Sequence, residues 1–181
     1  DGCQRPTTVG SERLHLHNLS DLCSRYKFRP LASAQMPCGE EVAGHLSYLI
    51  SRFGAPLFCK RDNGGNLNHG AVNDILEEAY VIPINSPPYT APYNGAAEHT
   101  QGEFKDYLRR WHWKANTLDE FSLLAETAAH ELNHQPRRSL NGRTACRVYF
   151  SNNRTRWDKR RRKSIYNRIR DLAAEISLRA G

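Results

Sequence analysis

Two carboxylates in this 181-residue chain stand where side chains can do chemistry. Asp62 follows a short apolar run, Pro56 to Cys59, and precedes Gly64-Gly65, which predicts a place at the carboxyl end of a strand, where side chains enter a crevice. Glu98 comes three residues after Gly95, in the first turns of a helix that Asn94 is placed to cap and that carries Phe104, Leu108 and Trp111 at helical spacing. A carboxylate at a strand end and another at a helix start can converge on one cation, and carboxylate oxygens are the ligands that Mg²⁺ or Mn²⁺ prefer. Asp1 is the third candidate. Taken alone, Asp62 before Asn63-Gly64-Gly65 reads as a turn former and Glu98 as a solvated helix residue. The surrounding sequence is what makes the pair specific.

Thirty-five residues separate Asp62 from Glu98, and they contain Ser86-Pro87-Pro88-Tyr89 and lead into Pro92-Tyr93-Asn94-Gly95-Ala96-Ala97-Glu98. This stretch resembles the catalytic core of DDE transposases and retroviral-type integrases. Asp21-Leu22-Cys23-Ser24-Arg25-Tyr26 is similar to that family's acidic-x-x-Ser-Arg-Tyr turn. Asn133-His134-Gln135-Pro136 and Leu140-Asn141-Gly142-Arg143-Thr144 resemble the segment that closes bacterial insertion-sequence cores. The resemblance covers roughly residues 1–150. It implies a metal-dependent polynucleotidyl transferase in which Asp1, Asp62 and Glu98 hold two Mg²⁺ or Mn²⁺ ions. Asp1 takes the first role because it stands twenty residues ahead of Asp21, with a first strand truncated at its amino end and an α-amino charge beside the site. Such ions, about 4 Å apart, neutralise charge at the attacking and leaving oxygens of a phosphodiester. Water would be the nucleophile for nicking and a DNA 3′-hydroxyl for strand transfer. Lys105, about two helical turns beyond Glu98, matches the family's DNA-facing basic residue, and Asn63 and Asn94 would support the metal ligands. The resemblance further implies a bacterial, cytoplasmic, nucleoid-associated protein acting as a homo-oligomer on transposon ends and target DNA.

The elements that must position these residues are legible from periodicity. Residues 1–34 alternate apolar and polar positions, Leu14 and Leu16, then Tyr26 and Phe28, between turns at Gly10-Ser11 and Asp21 to Ser24, which predicts a three-strand meander. Val42, Leu46, Leu49, Ile50 and Phe53 form one stripe of a helix ending at Gly54. Val72, Ile75, Leu76 and Ala79 mark a shorter helix, and Tyr80 to Ile84 a strand whose Pro83 suits an edge. The proline-rich loop from Ser86 to Pro92 is stiff and serves as a lid or a connector. Thr117 and Glu120 fit a capping box before Leu118, Phe121, Leu124, Ala128 and Leu132. Strands interleaved with helices give an α/β chain. The resemblance makes that a ribonuclease H-like mixed sheet of about five strands flanked by helices.

The net charge of +7 is concentrated at one end. Residues 154–170 hold nine Lys or Arg and one acid, a net +8 that leaves −1 for all other residues. Residues 1–150 are therefore read as the core and residues 151–181 as a basic helical extension, in which Arg156, Lys159, Arg160, Arg161, Arg162 and Lys163 grip a phosphate backbone. Ile165, Ile169, Leu172 and Ile176 make that extension's helix amphipathic, fit to dock on the core or on another subunit. No apolar run approaches the ~18 residues of a membrane span, and five scattered cysteines fit reduced thiols better than a disulfide framework. Two other readings compete. One is a catalytically inactive, nucleic-acid-binding transposase remnant. The other is a zinc peptidase through His130-Glu131-Leu132-Asn133-His134, which satisfies His-Glu-x-x-His but meets Pro136 and lacks an obvious third ligand.

Overall fold

In the computed structural model the described residues are 5–9, 12–87, 95–110, 115–151 and 157–180. Asp1, Asn94, Trp111 and Arg156, and the Ser86 to Pro92 loop from residue 88 onward, lie outside them. The elements run β1 (Arg5–Val9), β2 (Glu12–His17), β3 (Leu31–Ser33), α1 (Gly39–Phe53), β4 (Phe58–Arg61), α2 (Gly70–Glu78), β5 (Ile82–Asn85), α3 (Gly95–Arg110), α4 (Leu118–His134), α5 (Ala145–Tyr149) and α6 (Lys159–Ala180). The mixed α/β class and the order of strands and helices follow the sequence pattern.

The meander pairs antiparallel, with Arg5 opposite Leu14 and Leu16 opposite Ala32, while β4 and β5 pair parallel from Phe58–Ile82 to Arg61–Asn85. Among the described residues these are two separate sheets, of three strands and of two, rather than the expected single sheet of about five. Among the described residues no pairing joins β4 to the outer edge of β1 or of β3. The third strand also sits later than the alternation of Tyr26 and Phe28 suggests. There the backbone of Lys27 finds another partner: its N–H donates to Asn133 Oδ1 and its carbonyl accepts from Asn133 Nδ2, both at 2.8 Å. A side-chain amide on α4 thus substitutes for one rung of a ladder. Tyr26 and Phe28 turn instead into an aromatic cluster with Phe53 and Tyr149, with Tyr26 stacked on Tyr149 at 4.5 Å.

Two apolar cores hold the elements. Leu14 and Leu16 of β2 face Phe104 and Tyr107 of α3 and Phe121, Ala125, Ala128 and Leu132 of α4. Val42 and Leu46 of α1 pack with Val72 and Leu76 of α2 and with Val81. The expected stripe of α1 is buried at Val42, Leu46 and Leu49, and the helix stops at Gly54, whose φ of 83° is one that a side chain disfavours. At the start of α4, Thr117 Oγ1 accepts the Glu120 N–H at 3.2 Å, and Glu120 Oε2 accepts the N–H of Asn116 at 2.6 Å. The return half of the capping box is therefore displaced by one residue.

Lys27 is only 1% exposed, and its Nζ donates to Glu103 Oε2 of α3 at 2.5 Å. Arg137, just after α4, donates to Glu103 Oε1 at 2.5 Å and to the Leu132 carbonyl at 3.2 Å. Burial alone would push the Glu103 carboxyl up, but hydrogen bonds from Arg137 and Lys27 hold it below the usual range.

The basic extension enters the fold through a residue expected to hold DNA. Arg162 is 8% exposed and donates to the carbonyls of Ala55 (2.6 Å), Pro56 (3.1 Å) and Ala79. Those are the chain ends left open around α1, β4 and α2, so its guanidinium is committed to the protein and unavailable to a phosphate. Tyr166, one turn on, packs edge-on against Tyr80 at 5.8 Å. Arg162 is therefore a structural clamp, and the sequence-based assignment of it to DNA is corrected. Arg162→Ala takes the shared donor from three carbonyls and leaves a gap where the buried guanidinium stood, and is expected to cost on the order of 2 kcal/mol of stability. Urea unfolding of the variant checks this, and Arg160→Ala, an exposed neighbour, serves as the near-neutral control.

Candidate active site

Asp62 sits one residue past the end of β4, where the apolar run and the Gly-Gly turn put it. Its Oδ1 accepts the Gly64 N–H at 2.9 Å, and Asn68 Nδ2 donates to the carbonyls of Asp62 and Gly64, each at 3.0 Å. Side-chain oxygens crowd Gly64: a β-carbon there would lie 3.0 Å from Asp62 Oδ1 and 3.1 Å from Asn66 Oδ1. The turn is anchored to the end of β5 by Asn63, whose Nδ2 donates to the Ser86 carbonyl at 2.9 Å, and by Ser86, whose N–H donates to the Arg61 carbonyl at 3.0 Å. Arg61 adds bonds to Asn85 Oδ1 (2.8 Å) and to the Leu67 carbonyl (2.6 Å). Burial works to raise the Asp62 carboxyl, the Gly64 N–H and the nearby His17 work to lower it, and the group stands below its ordinary value. Asp62 is thus kept ionised.

Glu98 lies in the first turn of α3, exposed, where the positive end of the helix dipole favours a carboxylate. Asp62 and Glu98 line the same cavity, about 430 Å³, together with His17, Asp21, Thr100 and Gln101. Its floor is apolar, with Val42, Leu46, Leu49 and Phe53 among its residues. The structure therefore brings two of the three expected carboxylates to one cavity, and Asp1 lies outside the described residues. Lys105 is half-exposed on α3 and does not line this cavity. Lys159, Arg160, Arg161 and Lys163 are exposed on α6, away from it. Arg161 lies over the Trp157 ring at 4.4 Å, and Lys163 near Tyr80 at 5.8 Å.

Among the described residues no group of three or more His, Cys, Asp or Glu is placed to hold a metal ion. Asp62 and Glu98 are oxygen donors of the kind a hard divalent cation takes, and they supply two ligands. The His-Glu-x-x-His segment lies on α4. His130 and His134 stack at 4.2 Å on the exposed face of α4, and His134 Nδ1 is tied to the His130 carbonyl at 2.8 Å. Among the described residues no third His, Cys, Asp or Glu joins them. Asp21, in the acidic-x-x-Ser-Arg-Tyr turn, accepts from the Ser24 N–H (2.7 Å) and hydroxyl (2.6 Å), so it shapes the turn.

His17 belongs to the site although no motif in the sequence singles it out. It lines the cavity and the smaller pocket beside it that Asp62 also borders, and its Nδ1 is buried without a partner among the described residues. The alternation that turns Leu14 and Leu16 toward α3 and α4 turns His17 the other way. That signal was available.

Neither a protein-family model nor a curated protein matches the sequence. By its architecture the chain has an integrase-like fold. A chain of the simian T-cell lymphotropic virus intasome, solved with PP2A regulatory subunit B56 gamma, aligns with a TM-score of 0.69 at 16% identity over 88% of this chain and 55% of that one, so the present chain spans about half its length. The HTLV-2 integrase catalytic core domain in complex with magnesium, in its trimeric form, aligns with a TM-score of 0.65 at 18% identity, over 82% of this chain and 92% of that one. The catalytic core domain of BIV integrase gives 0.60 at 18%, over 81% and 90%.

His17 titrates far below an ordinary imidazole, at about 4, first because burial penalises its charge and then because His45 lies near. A histidine whose folded pKa is depressed binds its proton more tightly in the unfolded chain, so it destabilises the fold as pH falls from 6.5 toward 4 and costs nothing above 6.5. The span corresponds to on the order of 3 kcal/mol. NMR titration of the imidazole is expected to give a midpoint near 4, and His17→Gln is expected to flatten the dependence of stability on pH in that window.

Proposed function

We propose that this chain is the catalytic core of a DDE-type recombinase of the insertion-sequence transposase kind, which cuts DNA and joins its ends. The observation that carries the reading is the meeting of Asp62 and Glu98 at one cavity within an integrase-like fold. Asp62, Glu98 and Asp1 would hold two Mg²⁺ or Mn²⁺ ions, which when bound supply neutralisation of charge on the phosphodiester. That the HTLV-2 core was solved with magnesium supports the choice of metal.

The chain's own residues supply the rest. The Gly64 N–H favours the charged form of Asp62, and Asn63 fixes the turn that aims it. Lys105 offers a cation to a phosphate flanking the scissile bond, and the exposed Lys159, Arg160, Arg161 and Lys163 hold more distant backbone. Residues 1–150 form the reacting unit and residues 151–181 the gripping one. The substrates are transposon ends and target DNA, engaged by a homo-oligomer in a bacterial cytoplasm. The dimeric and trimeric forms of the HTLV-2 core support an oligomer. The inactive remnant remains the second reading, favoured by the two-ligand count among the described residues.

A nicking and strand-transfer assay on supercoiled DNA with Mg²⁺ or Mn²⁺ separates the two. Asp62→Asn and Glu98→Gln are each expected to lower activity on the order of a hundredfold or more while gel-shift binding of DNA persists. Binding by the unaltered chain with no metal-dependent cutting establishes the remnant instead.

A further inference from the structure

Helix α6 is 22 residues long, about 33 Å at 1.5 Å per residue, and only its first part is held down. Arg162 clamps it to three carbonyls, Tyr166 meets Tyr80, and Arg170 Nη1 pairs with Glu77 Oε1 at 3.0 Å. From 171 to 179 every residue is exposed. About 14 Å of helix therefore projects beyond the last contact, a length that does not hold itself together on backbone hydrogen bonds alone. Yet this half carries Leu172 and Ile176, 46% and 67% exposed. They continue a line begun by the half-buried Ile165 and Ile169, at successive spacings of four, three and four residues. That is the spacing of a coiled-coil seam, and its second half is exposed.

We propose that α6 pairs antiparallel with α6 of a second copy of this chain. In that arrangement Ile165 layers against Ile176 of the other copy and Ile169 against Leu172, so all four apolar side chains are used, each twice. Charge selects the direction. Arg168 and Glu175, both exposed, are seven residues apart on the same flank of the seam. An antiparallel pair brings each Arg168 to Glu175 of the other helix, whereas a parallel pair sets Arg168 against Ala173 of the other helix and leaves Glu175 without a basic partner. The basic run Lys159 to Lys163 decides the same way. Parallel helices would place the two runs side by side, while antiparallel ones separate them and put each near the other's carboxyl-terminal end, where the helix dipole favours cations. The pairing leaves the cavity of Asp62 and Glu98 untouched and is independent of what that cavity does.

Sedimentation of the full chain without DNA tests the pairing. A reversible dimer is expected, and Ile176→Lys, at a position exposed enough to leave the fold intact by circular dichroism, raises its dissociation constant about tenfold or more. Arg168→Glu alone weakens the dimer, and Arg168→Glu with Glu175→Arg restores it. The proposal is overturned if the unaltered chain is monomeric up to its solubility limit, if Ile176→Lys dimerises unchanged, or if the double charge reversal dimerises no better than the single one.

Discussion

The fold turns on one carboxylate shared between two cations. Glu103 takes Lys27 from the meander on one oxygen and Arg137 from beyond α4 on the other. Three segments far apart in sequence meet at this point, and α3, which carries Glu98 five residues earlier, is fixed by it. A lysine this deeply buried is costly unless paired, and a single carboxylate bridging two cations offsets much of that cost. The geometry also explains why Asn133 must be an amide. Beside the ion pairs it gives Lys27 both a donor and an acceptor for the backbone, which an acid of the same size cannot do.

The site follows from that frame. Helix α3 is held by Glu103 and by Phe104 in the core, which sets Glu98 of its first turn at the cavity that Asp62 also lines. The turn after β4 is held separately, by Asn63, Asn68 and Ser86 against the end of β5. Two supports that share no residues therefore bring Asp62 and Glu98 to one cavity. The apolar floor beneath them lowers the local dielectric, so charge placed at the mouth acts over a greater range than it would in open water.

Much of this was legible in the residues. The stripe from Val42 to Phe53, the strand before Asp62 and the helix start before Glu98 all obey short-range rules, because spacing, glycine and proline act locally. The rest depended on tertiary placement. Arg162 stands in a run of five basic residues, and nothing in its neighbours distinguishes the one that turns inward to three carbonyls. Lys27 lies between two aromatic residues in what reads as an alternating strand, and its partner Asn133 is 106 residues away. Which strands share a sheet is hidden for the same kind of reason, since edges are assigned by which strands come together and periodicity is silent on that.

The distance between Lys27 and Asn133 also bears on how the protein acquires its shape during synthesis. Contacts between remote positions close late, since a long loop must be ordered before they contribute. A growing chain emerges from the ribosome amino end first, at about 5–20 residues per second. The meander's return at Tyr26 and Phe28 thus waits for roughly a hundred further residues before α4 can receive it. For that interval two aromatic side chains and an unpaired backbone amide and carbonyl stand open to neighbouring nascent chains, and the speed of translation through α4 sets how long the exposure lasts.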